Sequence, residues 1–309
     1  MTGVLPALVL TAGLGKRLDP ITRLVAKPAV PLGDRTLVER VLAWLERQQV
    51  RDLVLNLHHR PETIAAVVGD GAHLGVRVRY SWEQPVLGSA GGPRRALPLL
   101  DADTFLIVNG DTLSDVDLAA MHDAHRRSGA DVTMAVVPNP APDHYNGIAI
   151  DDDGVVLGFV PKGEATGTWH FIGIQIVSRK IFEPLADGVP AETVAALYRD
   201  IVRKSPGRIR ALPVETTFID VGTPRDYLAA AATFPALPAD INPGARVVDS
   251  IVWPEARVGA GADLDQCIVA GRVDIPEGFR ATNCALIPAS AVASGESVEV
   301  EGGVAVFRI

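Results

Sequence analysis

The segment Leu10–Leu32, LTAGLGKRLDPITRLVAKPAVPL, joins a small-residue turn, Thr11-Ala12-Gly13-Leu14-Gly15, to cations at Lys16, Arg17 and Lys27. Glycines let the backbone turn its N–H groups toward an anion, and nearby cations neutralise what those amides cradle. That is the chemistry of phosphate handling. The turn lacks the third glycine of a dinucleotide fingerprint, and it lacks the spacing and the Gly-Lys-Ser/Thr ending of a Walker loop. A carboxylate follows the apolar run Phe105-Leu106-Ile107, in Val108-Asn109-Gly110-Asp111. At the carboxyl end of a central strand Asp111 is a natural Mg²⁺ ligand, the other reading being an Asp that caps the next turn. Asp220, in Phe218-Ile219-Asp220-Val221-Gly222-Thr223-Pro224, stands just before a helix that it could simply help to cap. Further candidates are Glu83-Gln84-Pro85-Val86-Leu87-Gly88-Ser89-Ala90-Gly91-Gly92, Tyr145-Asn146-Gly147 and Val160-Pro161-Lys162.

The elements that must carry these residues alternate. Strand-like runs at 7–10, 52–57, 76–80, 105–108 and 132–137 are separated by helical patterns at 36–48, 61–68, 91–99 and 116–127. In the first helical pattern Leu37, Val38, Val41, Leu42 and Leu45 keep helical spacing behind a Thr36 cap. Such alternation predicts an α/β fold, Rossmann-like and doubly wound, with a mostly parallel sheet covered on both faces. Ligands then bind beyond the carboxyl ends of the strands, where Gly13, Gly110 and Asp111 fall. From Tyr145 a hairpin (147–150 and 155–160, around Asp151–Gly154) is expected, then a strand at 171–177. Helices at 181–185 and 193–202, a strand at 209–214 and a last helix opened by Thr223 and Pro224 complete this part.

A proline-rich linker at 233–243 divides an expected catalytic domain, 1–235, from a tail, 241–309. In the tail Val252, Val258, Leu264 and Ala270 recur every six residues, with Ala256, Ala262 and Ile268 four residues after the first three. That period predicts a short left-handed parallel β-helix.

Composition narrows the function. With 309 residues, 48% hydrophobic and 21% charged, the chain can bury a substantial core. A net charge of −8 argues against a nucleic-acid partner, so a polyanionic ligand must meet locally concentrated cations. No apolar run approaches the roughly 20 residues of a membrane span, and no signal-peptide pattern opens the chain, so a cytoplasmic location is expected. Cys267 and Cys284 lack the partners of a zinc site or a disulfide framework. Of the 29 basic residues, lysine occurs only at Lys16, Lys27, Lys162, Lys180 and Lys204. In so arginine-rich a chain, a retained lysine points to a need for a compact ammonium.

The order Gly-x-Gly, Lys16-Arg17-Leu18, Asp19-Pro20-Ile21-Thr22 and Lys27-Pro28, with the later segments in sequence, resembles the sugar-1-phosphate nucleotidylyltransferases. The resemblance covers roughly residues 4–232. It implies that a nucleoside triphosphate and a sugar 1-phosphate react with Mg²⁺ to give an NDP-sugar and pyrophosphate. Arg17, Lys27 and Asp111 would be catalytic. Leu10, Ala12, Gly13, Gly15, Lys16, Arg17, Glu83, Gly88, Ser89 and Ala90 would bind the nucleotide. Asn109, Gly147 and Lys162 would bind the sugar phosphate, and Asp111 and Asp220 the metal. Pro161 stands where members of that family commonly have Glu. The Leu87–Gly91 segment resembles the Leu-Gly-Thr-Ala-Gly of mannose-1-phosphate guanylyltransferases, so GTP and mannose 1-phosphate are the expected pair. Uridylyl- or thymidylyltransfer to another sugar 1-phosphate (glucose or N-acetylmuramate), or a non-catalytic regulatory relative, are the alternatives. The tail offers a surface for homo-oligomerisation.

Overall fold

The protein is described from a computed structural model covering residues 5–235 and 238–309. The expected linker thus falls partly outside the described residues, at 236 and 237, as do residues 1–4 of the expected catalytic domain. The chain packs as two compact units. One comprises the N-terminal segment ending at Gly13 with Arg40–Pro61 and Val68–Phe218; the other comprises Leu14–Glu39, Glu62–Val67 and Ile219–Ile309.

The first unit is built on a nine-stranded sheet. Its strands are β1 (Ala7–Leu10), β2 (Asp52–Leu57), β3 (Arg77–Trp82), β4 (Thr104–Asn109), β5 (Val132–Pro138), β6 (Gly147–Ile150), β7 (Val156–Val160), β8 (Trp169–Ser178) and β9 (Ile209–Pro213). The order is β7-β6-β8-β4-β1-β2-β3, with β5 pairing β8 and β9. The strands β4, β1, β2 and β3 run parallel, whereas β8 is antiparallel to β4 and to β5, so the sheet is mixed.

Two helices, α1 (Leu37–Arg47) and α2 (Pro61–Val68), come first in the chain. Both faces of the sheet are covered, as the alternation of strands and helices predicted. On one face α3 (Gly88–Leu100) and α5 (Tyr198–Lys204) pack Ala96, Leu97, Leu100 and Tyr198 against Leu8, Val54, Phe105, Ile107 and Met134. On the other, α4 (Leu118–Ser128) places His125 on Thr133, which alternates with the core residues Val132 and Met134. Asp117 caps α4 by accepting from the amides of Ala119 and Ala120, so the helix starts later than its apolar pattern suggested. The helix expected at 181–185 is only a 3₁₀ turn, Arg179–Ile181, because Pro184 cannot continue it. The helix expected at 193–202 opens as a π turn, Thr193–Leu197, before α5.

In the second unit α6 (Pro224–Ala231) has Thr223 as N-cap in a capping box with Asp226. The tail is a parallel β-helix. Its coils stack in register Arg246↔Asp263↔Arg280, Asp240↔Arg257↔Asp274 and Ile251↔Ile268↔Ala285. A coil of this length is one residue short of three six-residue turns, so the inward position drifts. Val252, Val258 and Leu264 lie in the core as the repeat predicted and Ala270 is fully buried, but the residue stacked on Val252 in the next coil, and packed in the same core cluster, is Val269. Cys267 and Cys284 lie on successive coils, buried and unbonded, their thiols donating to Asp265 and Thr282 carbonyls. Burial pushes both thiols above their ordinary range.

The same unit contains the cation-bearing segment. Arg23 pairs with Glu296 at 2.6 Å and lies 4.7 Å over the Phe307 ring. The hydroxyl of Tyr227 donates to the Pro31 carbonyl and accepts from the Trp253 indole at 3.0 Å. These contacts tie the segment that carries Arg17 and Lys27 to the β-helix.

Candidate functional site

The strand ends define the site in the first unit. From β1 the chain moves to β2 and then β3 on one side, and the next strand, β4, lies on the other side of β1. The loops after β1 and β4 therefore leave the sheet at a topological switch point, where open α/β sheets bind ligands. Leu10 is in register with Asn109, and the Gly110 amide donates to the Leu10 carbonyl at 3.0 Å. A Cβ at Gly110 would sit 2.8 Å from that carbonyl oxygen, so only glycine lets Asp111 leave β4 this close to β1. Asp111 is partly exposed there.

The turn after β1 is anchored at one point and open elsewhere. Thr11 donates its amide to Asn56 Oδ1 at 2.7 Å and its hydroxyl to the Asn56 carbonyl. Among the described residues, the amides from Ala12 to Lys16 have no hydrogen-bond acceptor. Gly13 is exposed, with no atom within 4 Å of the place a Cβ would take. Gly15 is left-handed, at φ 62°. Its missing Cβ leaves room for Thr22, 2.7 Å away, and for Lys27, 3.2 Å away.

The turn before α3 is built differently. Glu83, Asn56 and Thr11 are all buried. The Asn56 amide donates to Glu83 Oε1 at 2.7 Å, and the Leu87 amide donates to Oε2 at 2.7 Å. Both carboxylate oxygens of Glu83 are thus committed inside the protein, and the residue acts under the turn rather than on its surface. Ser89 donates its amide and hydroxyl to Glu192 and accepts from the Thr193 amide at 2.9 Å. The amides of Ala90 and Gly91 donate to the Ala191 carbonyl at 2.9 and 3.2 Å. Gly88, at φ 75°, leaves room for Glu192, and Gly92 leaves room for Glu83. The glycines of this turn serve its own packing.

A cavity of about 320 Å³ opens beside it, lined by Leu10, Ser89, Asn109, Asn146, Gln175, Glu192 and Arg199 among others. Leu10, Ser89 and Asn109 were expected in a site from sequence; Gln175, Glu192 and Arg199 were not. Gln175 lies mid-strand in an apolar run, and the other two sit in a helical region without a motif, so only an interior polar residue in β8 signalled the cavity. Gly147 is buried with Thr168 where a Cβ would stand, so its glycine is a packing requirement of the chain itself. Lys162 is exposed, its amide held by Asn146 Oδ1 at 3.0 Å.

In the second unit Lys16 and Arg17 are exposed, whereas Lys27 is buried in a 3₁₀ turn, Lys27–Ala29. Gly222 brings the expected groups together. A Cβ there would meet Asp226 Oδ2 at 3.0 Å, Arg17 Nη1 at 3.1 Å and Asp220 Oδ2 at 3.3 Å. The α6 capping box uses Asp226, with Thr223 N–Oδ2 at 2.7 Å, so Asp220 is not the capping residue.

As donors, Asp111 and Asp220 are hard carboxylates suited to Mg²⁺, which keeps open positions for waters and phosphate oxygens. No group of three or more His, Cys, Asp or Glu that could hold a metal ion is found among the described residues.

This switch-point site is that of a nucleotide-handling α/β protein. The sequence profile described as nucleotidyl transferase matches residues 6–236, and the chain belongs to that family. It is a nucleotidyltransferase. Over 296 residues it is 29% identical to a mannose-1-phosphate guanylyltransferase of Mycobacterium tuberculosis, covering 88% of this chain and 81% of the relative. It is 30% identical to a D-glycero-α-D-manno-heptose 1-phosphate guanylyltransferase of Aneurinibacillus thermoaerophilus, covering 72% and 96%. Among solved structures, HddC from Yersinia pseudotuberculosis complexed with GMP-PN superposes with a TM-score of 0.64 at 25% identity, covering 74% of this chain and 99% of that one. No helix among the described residues is long and apolar enough to cross a membrane.

Proposed function

We propose that this protein transfers a nucleotidyl group to a sugar 1-phosphate, with GTP as donor and a manno-configured sugar, mannose 1-phosphate being the parent, as acceptor. The observation that carries the reaction is the open turn after β1, its amides without acceptors, beside the loop that presents Asp111 at the end of β4. The guanylyl and manno assignments draw on the relatives, whose names combine those chemistries. The catalytic part is proposed to span residues 1–235, with 241–309 as an accessory tail through which copies could associate.

In the reaction an oxygen of the sugar phosphate attacks the α-phosphorus of the triphosphate, and the bond to the pyrophosphate oxygen breaks. The attacking oxygen is already anionic, so no general base is required. The barrier is the approach of two anions, and catalysis is positioning and charge neutralisation. The amides of 12–16 and Arg17 are assigned to the triphosphate, with Lys16 a weaker contributor. Lys27 is assigned to the α-phosphate and Lys162 to the sugar phosphate. Asp111 and Asp220 would hold the Mg²⁺, which when bound supplies charge neutralisation at phosphate oxygens. Leu10, Gly88, Ser89 and Ala90 are assigned to the wall beside the base, and Asn109 and Gly147 to the sugar side.

The test is pyrophosphate release with GTP, UTP, dTTP and ATP against mannose, glucose and N-acetylmuramate 1-phosphates. GTP with mannose 1-phosphate should outrun every other combination of these triphosphates with mannose 1-phosphate. Preference for UTP or dTTP would move the base assignment, and no release in any combination would remove the reaction.

A further inference from the structure

The cavity beside β8 holds an arginine that the reaction does not use. Of the cavity-lining residues named above, Arg199 is the one cation, and Glu192, the acid, is engaged by Ser89. Arg199 is exposed at the cavity, and among the described residues its guanidinium has no ion pair and no hydrogen-bond partner. The other charged residues of α5 do: Asp200 pairs with Arg203 at 2.8 Å and with Lys204 at 3.6 Å.

The position of Arg199 is set by buried groups. Tyr198, fully buried, donates its hydroxyl to Gln175 Oε1 at 2.7 Å, which locks the first turn of α5 onto β8. Burial raises the Tyr198 phenol far above its ordinary range, so it remains a donor. The preceding π turn, Thr193–Leu197, is a feature often found at functional sites; Thr193, Val194 and Ala195 line the same cavity as Arg199.

Direction along the cavity separates Arg199 from the phosphate end. Asn109 leads into Gly110 and Asp111, where phosphates are expected. Gln175 pairs with Ile107, two residues earlier on β4, which at about 3.3 Å per residue sets it back by about 7 Å. The wall beside Gln175, to which Arg199 belongs, therefore faces the part of a bound sugar remote from its phosphoester. A neutral sugar needs only a hydroxyl partner there, which the amide of Gln175 supplies. An unpaired guanidinium matches a carboxylate or phosphate instead.

We infer that the preferred sugar 1-phosphate carries a second anionic group, at the end remote from its phosphoester, and that Arg199 reads it. The inference rests on the proposed reaction and narrows its substrate class from a neutral manno sugar to a charged derivative.

The test measures kcat/KM with GTP for mannose 1-phosphate, mannuronate 1-phosphate and mannose 1,6-bisphosphate. The carboxylate and phosphate arms tell which anion fits. A charged hydrogen bond predicts that at least one anionic sugar exceeds mannose 1-phosphate by about 10- to 100-fold. Arg199→Gln should bring that ratio close to one, Arg199→Lys should keep part of it, and Arg203→Gln should leave it unchanged. A ratio at or below one in the unaltered protein, or one that survives Arg199→Gln, overturns the assignment. If none of the three sugars releases pyrophosphate, the reaction itself is wrong and the assignment falls with it. Turnover of mannose 1-phosphate alone leaves the reaction standing and overturns only the role of Arg199.

Discussion

The turn after β1 and the turn before α3 look alike in sequence, each a run of glycine, alanine and hydroxyl residues, yet they are opposite constructions. From Ala12 to Lys16 the amides have no acceptor among the described residues, and Gly13 faces open space. From Gly88 to Gly92 the amides of Ser89, Ala90 and Gly91 are taken by Glu192 and Ala191, and the glycines make room for Glu192, Val189 and Glu83. One turn is arranged for something that arrives, the other for the chain that surrounds it. Composition cannot tell them apart, because a missing Cβ serves a ligand and a neighbouring segment equally well.

The largest expected effects fall on the carboxylates proposed to hold the metal. Asp111→Ala and Asp220→Ala should each lower turnover by about 10³-fold or more, the equivalent of several kcal/mol of lost charge stabilisation. Circular dichroism and the melting temperature should show the fold intact. Near-normal turnover in either variant would take that residue out of the metal role.

The glycines themselves sharpen the contrast. Gly13→Ala adds a methyl where nothing stands within 4 Å, so stability should stay within about 0.5 kcal/mol. Turnover should fall about 100-fold as the phosphates are displaced by about an ångström. Gly88→Ala meets Ala191 O at 2.7 Å at a φ of 75°. Left-handed strain and overpacking together should cost about 2–4 kcal/mol, read by chemical denaturation. If Gly88→Ala is as stable as the unaltered protein while Gly13→Ala unfolds, the distinction between the turns is lost.

Glu83 tests the same idea from beneath. Glu83→Ala strands the Asn56 and Leu87 donors, each buried, and should cost about 2–4 kcal/mol in denaturant melts. A variant that keeps full stability but loses GTP affinity would return Glu83 to the nucleotide itself.

What could be read beforehand follows from the range of the forces involved. Apolar periodicity is local, so the alternating strands and helices, the Thr223 cap and the coils of the tail were all legible. The stacking of Val269 on Val252 was not, because it depends on a coil length set by stacking in register. The position of Asp111 just past the end of β4 was legible as well. The partners of Glu83, Ser89 and Gly147 were not, since Asn56, Glu192 and Thr168 come from segments with no motif of their own. Gln175 and Arg199 belong to the same class, brought together by the packing of α5 on β8.

The lysines give a sharper form of the same contrast, and one of them, Lys180, carries the smallest predicted effect. Rarity suggested that each of the five was retained for its ammonium. Lys180 has another explanation: it pairs at 2.6 Å with Asp131, a buried carboxylate that Arg208 also contacts. Its own side chain is largely exposed, and a guanidinium can make the same pair. Lys180→Arg should therefore change stability by less than about 1 kcal/mol and leave turnover within about twofold. Lys27 is buried in its 3₁₀ turn, where a Cβ at Gly15 would stand 3.2 Å from Lys27 Cβ. A guanidinium is larger and planar and carries its charge differently at this buried position, so Lys27→Arg should reduce kcat by about 100-fold through misplacement of the charge. The pair separates a lysine held for its shape from one held by lineage or chance. Equal tolerance at both positions would mean that Lys27 supplies only charge.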